Sequence, residues 1–550
     1  MSTGKITGLV FNRDSGTLTL GGDVDGPVTN HGTMILGDGD SGGANAASVR
    51  RIGILDNGGT WIFGDETAAR TTTGTDSGRV AFVRLEIAGG LSASAGSSVF
   101  RMDVDMSGPV AEGDRIAIAG NAAGQHRLTL AHTGNSDVSR RTTFDIVLAE
   151  GTRSPSADFS GGVDAGPWHF DTRESAVGWT LVFTGLSPLG NAILDTAGAA
   201  SLGWFAQLDS LLKRMGDLRL DGPATASATA TDTAAASGVA EAREGRDGSR
   251  AGGRDANHER DMDLWIRGYA GKTKADGFGK TGNGGAGGVG GSASGFSEYI
   301  GGFDIGADRA LRAEPGRLLV AGVFGGYFHA SRDLRGGDGG TDALYAGVYG
   351  TWLREDGWFA DAVARVGYFD NDYTVTGRAG GGGGGGGVRD GADYSTWSAG
   401  LSLEAGRKVA LGSGGWFVEP GAQVAWAHTW GKDYVTDRQL RVETGDADVV
   451  QFAGNLRIGR TIRAASATTR TRAWEPYLRL GVVEQISAGG RVRFSGENFR
   501  PDTDGLRGVI GAGVIFPAGK SGQLHADIET VRGDNYTQPC RLNVGYRLVF

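Results

Sequence analysis

The chain has 550 residues, a formal net charge of -9, a single cysteine and 100 glycines. An acidic balance argues against nucleic acid as a partner, since phosphate contacts need a basic surface, and Cys540 alone cannot close a disulfide within the chain. The sequence has no run of about 18 apolar residues, which excludes a helical membrane span but not a barrel, whose apolar residues fall at every second position.

Met1 to Asn12 lacks the charged and apolar regions of a secretory signal. If the far end of the chain is an outer-membrane barrel, the sequence is expected to be a fragment of a longer precursor or to have a misassigned start. Residues 1–187 alternate short apolar runs with Asn/Gly/Thr turns: Gly16–Leu20, Asn30–Leu36, Asn57–Gly64. Short strands at loose, regular spacing predict a parallel β-helix with insertions such as Gly37–Ser48. An ordinary β-sandwich with Gly-rich turns is the alternative. Gly39-Asp40-Ser41-Gly42-Gly43 matches a serine-protease nucleophile motif. That chemistry needs a histidine and an aspartate brought to the serine. His31 is the only histidine before it, so a β-helix turn is the preferred reading. The eight histidines and one cysteine form no metal-ligand spacing, and no cofactor is expected.

Asn191–Leu220 carries apolar residues at helical spacing, entered through Leu186-Ser187-Pro188, so a helix is placed over 188–220. Residues 221–262 are Ala-, Thr-, Ser-, Gly- and Arg-rich and read as a flexible linker.

Residues 263–550 hold about twelve segments of alternating polarity, many longer than ten residues, as tilted membrane strands require. In the last, Leu542, Val544, Tyr546, Leu548 and Phe550 share one face, and Arg541, Asn543, Gly545 and Arg547 the other. Connections are expected to alternate long and short: Lys272–Gly295 long, Asp308–Gly316 short, Ala330–Gly340 longer, Glu355-Asp356 tight, Ala464–Arg470 short. This is the pattern of a bacterial outer-membrane barrel. The glycine run Gly380–Gly387 reads as a mobile loop, without the strand-to-helix context of a phosphate site. Asp361, Arg365, Glu404, Glu475 and Arg479 fall on the lumen face, where their simplest role is to wet the interior. Arg532-Gly533-Asp534 is an integrin-type tripeptide at the end of the eleventh strand, but such tripeptides recur by chance, and an ordinary charged loop base is the preferred reading.

These segments, in this order, resemble the monomeric autotransporters of type V secretion, with pertactin-like proteins as the nearest likeness. Gly113–Ile118, Gly120 and Gly124–Leu128 look like the end of a pertactin-type passenger, a folding seed often called the autochaperone (about 80–187); Asp164–Phe170 and Trp179–Phe183 look like its closing rungs. Leu212-Lys213-Arg214-Met215-Gly216-Asp217-Leu218-Arg219 is similar to the helix that threads the pore, Leu264–Tyr269 to the first strand, and Trp474–Leu478 with the Phe550 ending to late-barrel signatures. The resemblance covers about residues 80–550 and implies an all-β chain: a right-handed parallel β-helix passenger remnant (1–187), a pore-threading α-helix (188–220), a linker (221–262) and a 12-stranded transmembrane antiparallel β-barrel (263–550).

The resemblance also implies a role. The barrel would sit in the outer membrane of a Gram-negative bacterium and help its own passenger to the surface. Gly545, Tyr546, Leu548 and Phe550 would be read by the barrel assembly machinery. Lipid, periplasmic chaperones and a host-cell or matrix ligand would be the partners. The passenger is expected to be adhesin-like and not an enzyme. Some relatives cut themselves in the pore at a paired Asn; here Asp209-Ser210 stands there, so that cleavage is not expected. The alternatives are an outer-membrane porin, or a surface enzyme whose catalytic part lies upstream.

Overall fold

The computed structural model describes residues 5–37, 48–64, 82–93, 97–219, 262–276, 279–281, 295–314, 316–378, 387–463, 473–501, 503–519 and 522–548. The Gly39–Gly43 motif, nearly all of the linker, most of the Gly380–Gly387 run and Phe550 lie outside these residues.

The N-terminal third is a parallel β-helix. Strands 10–12, 24–30, 48–57, 83–87, 115–118 and 144–149 stack in parallel on one side. Strands 17–20, 33–36, 60–63, 98–105, 125–132 and 158–160 stack on another. Register places Met34, Trp61, Phe100 and Leu128 above one another, all buried, so each coil hides its apolar face only against the next. The Asn/Gly corners seen in the sequence form a second column. Asn12 Nδ2 donates to Asn30 Oδ1 (2.9 Å), Asn30 Nδ2 to Asn57 Oδ1 (3.0 Å) and Asn57 Nδ2 to Ser98 Oγ (2.8 Å), and Ser98 Oγ meets His126 Nδ1 at 2.7 Å. The backbones at these corners touch: a Cβ on Gly59 would lie 2.2 Å from the Gly32 carbonyl oxygen, so only glycine fits. The segments read as closing rungs, Asp164–Phe170 and Trp179–Phe183, instead fall in antiparallel strands (162–165, 168–174 and 178–186) that cap the stack. The chain reverses there, so the last coil is covered by its own hairpins.

Helix α1 (Pro188–Leu218) follows. Ser187 is its N-cap, its hydroxyl accepting from the Gly190 N–H (3.3 Å), and Pro188 occupies the first helical position. The barrel is built from β1 (Asp263–Ala275), β2 (Phe296–Glu314), β3 (Arg317–Leu334), β4 (Gly337–Arg354), β5 (Trp358–Thr376), β6 (Arg389–Arg407), β7 (Trp416–Thr429), β8 (Ala447–Arg460), β9 (Ala473–Gly489), β10 (Gly505–Ala518), β11 (Gly522–Gly533) and β12 (Tyr536–Leu548). Each pairs antiparallel with the next, and β12 pairs back onto β1, with Leu264 opposite Leu548. The sheet is closed, so the twelve strands leave no unpaired edge in the ring, the condition for spanning lipid.

Polarity is inverted relative to a soluble core. In β12, Leu542 is 48% exposed and Val544 46%, whereas Asn543 is 0%. Exposed Trp358 and Trp416 sit at one end of their strands, and Tyr368 and Trp426 lie ten residues further along each. Ten residues span roughly 33 Å along a strand, about 25 Å across once the strand tilts, which matches the apolar band between aromatic girdles.

The connections depart from strict alternation. Gly337-Asp338-Gly339-Gly340 reads as loop in the sequence but pairs with Val375, Thr374, Tyr373 and Asp372. The expected longer connection at Ala330–Gly340 is therefore a two-residue turn, Arg335-Gly336, and β11 and β12 are likewise joined by Asp534-Asn535 alone. Beyond the lipid band both faces of a strand meet polar surroundings, so the ladder continues after the apolar signal has stopped. Three further connections on this rim, β1–β2, β7–β8 and β9–β10, build a sheet of their own: 279–281, 497–501, 492–494, 441–444 and 434–435 pair in that order.

The ladder of the β-helix yields a pH prediction. Burial pushes the His126 imidazole down to about 4. An unfolded chain takes up that proton near the ordinary value of about 6.5. The stabilising contribution is therefore complete above that value and is lost as pH falls toward 4, by on the order of 3 kcal/mol. Burial shifts His132 the same way, whereas the hydrogen bond to Asp164 raises His169, whose contribution runs in the opposite sense. Protease resistance of the β-helix in urea should fall between pH 7.5 and pH 5, and His126→Asn should shrink the difference; equal resistance at both pH values would contradict this.

Candidate functional site

The lumen of the barrel is filled by α1. At about 1.5 Å per residue its 31 residues extend roughly 46 Å, more than the hydrocarbon thickness of about 30 Å. Its face carries glycines where the wall is close. A Cβ on Gly203 would lie 3.2 Å from the Phe328 ring, and one on Gly216 would lie 3.4 Å from Arg457 Nη1. Trp204, fully buried, lies under the Arg365 guanidinium, 4.4 Å from its ring centroid. Arg365 Nη2 also donates to the Trp204 carbonyl (2.8 Å), and Arg541 Nη2 to the Ala206 carbonyl (2.5 Å).

The lower half of the helix is held by ions. Asp209 pairs with Arg479 (3.1 Å) and Arg541 (3.4 Å) of the wall and with Lys213 one turn on (3.1 Å). Lys213 also reaches Asp527 (2.7 Å) and Glu529 (3.0 Å). The Ser210 hydroxyl donates to Asp304 (2.9 Å). Arg219 is enclosed by Asp361, Glu419 (2.8 Å) and Glu404 (3.4 Å), its guanidinium carbon 3.3 Å from the Phe359 ring centroid. These groups are nearly all removed from solvent. A buried pair adds little net stability, but removing one partner strands the other at a cost of about 3–5 kcal/mol. The pairs therefore fix the depth and rotation of α1.

Of the helix residues singled out in the sequence, Leu212, Lys213 and Gly216 pack in the lumen, and Arg214, Met215 and Asp217 lie on the same two turns. The lumen residues expected merely to wet the interior are engaged: Asp361 and Glu404 by Arg219, Arg479 by Asp209, Arg365 by Trp204. Glu475 is held within the wall by Arg457 (2.5 Å) and Lys408 (2.7 Å). Gly545 faces inward, and a Cβ there would lie 3.0 Å from the Arg267 stem; Tyr546 faces outward; Leu548 pairs with Leu264 and Gly522. Arg532 and Gly533 end β11 and Asp534 opens the turn that follows, on the rim that faces the β-helix, with both charged residues exposed.

The sequence reading missed the mouth of the barrel. The loop sheet, the start of α1 and the capped end of the β-helix share one apolar core, which includes Trp168, Leu189, Leu440, Val442, Val492, Phe494 and Phe499. Trp168 is fully buried, its ring centroid 5.4 Å from Phe494 and 6.0 Å from Phe499. Polar contacts surround it: Arg140 with Glu497 (2.7 Å), Ser136 Oγ to Asp390 (2.6 Å), the Ser136 N–H to the Arg438 carbonyl (2.8 Å), and Arg438 to the Gly134 carbonyl. The aromatic pair Phe494 and Phe499, five residues apart within an expected loop, was the available signal.

Comparison with known proteins accords with this architecture. A family model described as the autotransporter beta-domain matches residues 264–529, and one described as Pertactin matches residues 71–183. The pertactin autotransporter of Bordetella bronchiseptica is 26% identical over 550 aligned residues, covering 90% of this chain and 52% of that protein. The autotransporter adhesin/invasin TibA of Escherichia coli is 26% identical, covering 99% of this chain and 53% of that protein. The chain thus spans about half the length of these curated relatives. The solved beta domain of the Bordetella autotransporter BrkA is 29% identical with a TM-score of 0.42, covering 52% of this chain and 99% of that chain. With a pertactin-type β-helix ahead of a closed barrel of the autotransporter type, the chain belongs to the autotransporters, proteins of the Gram-negative outer membrane.

Proposed function

We propose that this chain is a translocator that carries its own β-helical passenger through the outer membrane, keeps it attached, and presents it for adhesion. The observation that carries this reading is α1 running through the lumen from the core at the mouth to the Arg219 contacts near the opposite rim. A chain left threaded through its own barrel is the end state expected of a passenger that has passed through it. No nucleotide or proton gradient is available at that membrane, so folding outside would bias the movement. The buried loop-to-cap core favours this: the cap of the β-helix shares its apolar core with the barrel's own loops.

Retention follows from the residues at the depth where relatives cleave. Asp209 carries three cationic partners, and Ser210 is bonded to Asp304. The attacking side-chain amide of an asparagine is absent, so that cleavage within the pore is not expected. Gly545, Tyr546, Leu548 and Phe550 would supply the signal for the assembly machinery, after periplasmic chaperones have kept the strands unpaired. The adhesive reading follows the name of the relative TibA, with a host-cell or matrix molecule as ligand; Arg532-Gly533-Asp534 stands at the correct rim to take part.

The barrel reading is tested by gel migration. The full chain refolded in detergent should run differently with and without boiling; unchanged migration would sink it. Phe550→Ala should lower the amount assembled in the outer membrane, and normal assembly would remove the terminal-signal assignment. Trp168→Ala should cost about 3–5 kcal/mol at the shared core. Surface-added protease should then digest the β-helix while the barrel keeps its heat-dependent migration; a protected passenger would argue that it folds without the loops.

A further inference from the structure

We infer that Asp361, Glu404 and Glu419, with the Phe359 ring beneath them, form a binding seat for a guanidinium group, and that Arg219 in this seat latches the pore shut against ions. The inference rests on the reading of α1 as the pore helix. The geometry is that of a cation cage. Arg219 touches one carboxylate on each of three neighbouring strands, β5, β6 and β7, while its guanidinium carbon lies 3.3 Å from the centroid of the Phe359 ring. Planar, weakly hydrated and always charged, a guanidinium suits a buried cage in a way that an ammonium does not.

The seat is built for an occupant rather than for its own neutrality. Glu475 is satisfied within the wall by Arg457 and Lys408, and Glu419 has Arg457 at 3.7 Å. Among the described residues, Asp361 and Glu404 have no cation within 4 Å except Arg219. With Arg219 gone, four carboxylates (Asp361, Glu404, Glu419, Glu475) face two cations (Arg457, Lys408). The excess is two negative charges in a narrow low-dielectric lumen, which attracts cations and repels anions. Arg219 also stands one residue beyond the end of α1, near the rim opposite the passenger. Its release would free that end of the helix from the seat.

Currents through the full chain in planar bilayers test this. The wild type should stay closed. Arg219→Ala should raise open time about tenfold or more, with cations carrying the current. Millimolar guanidinium chloride should close it again, and sodium chloride at equal strength should not. Arg219→Lys should close only in part. Arg219→Ala with Glu404→Gln and Glu419→Gln should lose both the cation preference and the response to guanidinium. Heat-dependent migration checks that each barrel has folded. If Arg219→Ala alone does not fold, Arg219→Ala/Glu404→Gln, which strands one charge fewer, takes its place with the same readout. A variant as silent as the wild type, or one indifferent to guanidinium, would overturn the latch. A wild type that conducts as freely as the variant would instead overturn the pore-helix reading.

Discussion

The buried ion pairs between α1 and the barrel wall set the position of everything else. A charge taken out of water must meet its partner, and a chain carrying Asp209 and Lys213 on the lower half of α1 and Arg219 just past its end can satisfy all three only at one depth and one rotation. A shift of one turn, about 5.4 Å, would strand them together. That depth fixes Ser187, the helix start, at the outer mouth, and Ser187 in turn fixes the cap of the β-helix against the loop sheet. The electrostatics of the lumen thereby determine which residues meet at the surface.

The same constraint explains why two opposite chemistries coexist in one sheet. The outer face of the barrel needs no packing partner other than lipid, so Leu542, Val544 and their counterparts stay exposed. The inner face is mixed because its partner is a helix: Trp204, Leu208 and Leu211 share a buried cluster with Tyr269, Phe324 and Tyr349, while Asp209 and Lys213 meet charges of the wall. At the mouth the rule changes again. The strands continue above the lipid, their inward residues Phe296, Tyr373 and Tyr536 turn apolar, and they join the core under Trp168.

Much of this was legible in the chain. Alternation at period two located the strands of the barrel, because lipid outside and charge inside impose the sharpest contrast a strand can carry, but the expected connection Asp308–Gly316 lies mostly within β2, which runs on to Glu314. The helix declared itself through Ser187-Pro188 and its apolar spacing. What could not be read was anything set by contact between distant segments. Gly337–Gly340 has the composition of a turn and lies in a ladder, since backbone pairing does not require side chains. Asp361 and Glu404 have the look of solvating charges, and only the arrival of Arg219 from 142 and 185 positions away gives them a task. The short strands of the loop sheet pair across three separate connections, and no local pattern announces such pairing.

Because the base of the β-helix and the barrel loops share a single core, there is no hinge at the cell surface. Parallel coils about 4.8 Å apart make a stiff rod, and Arg140, Ser136 and Arg438 tie its foot to the rim on several sides. A tug on the far end of such a rod becomes torque on the barrel wall, borne by the bilayer. Whatever the passenger grips would thus be moored to the membrane as by a mast, with its reach and direction set by the body it stands on.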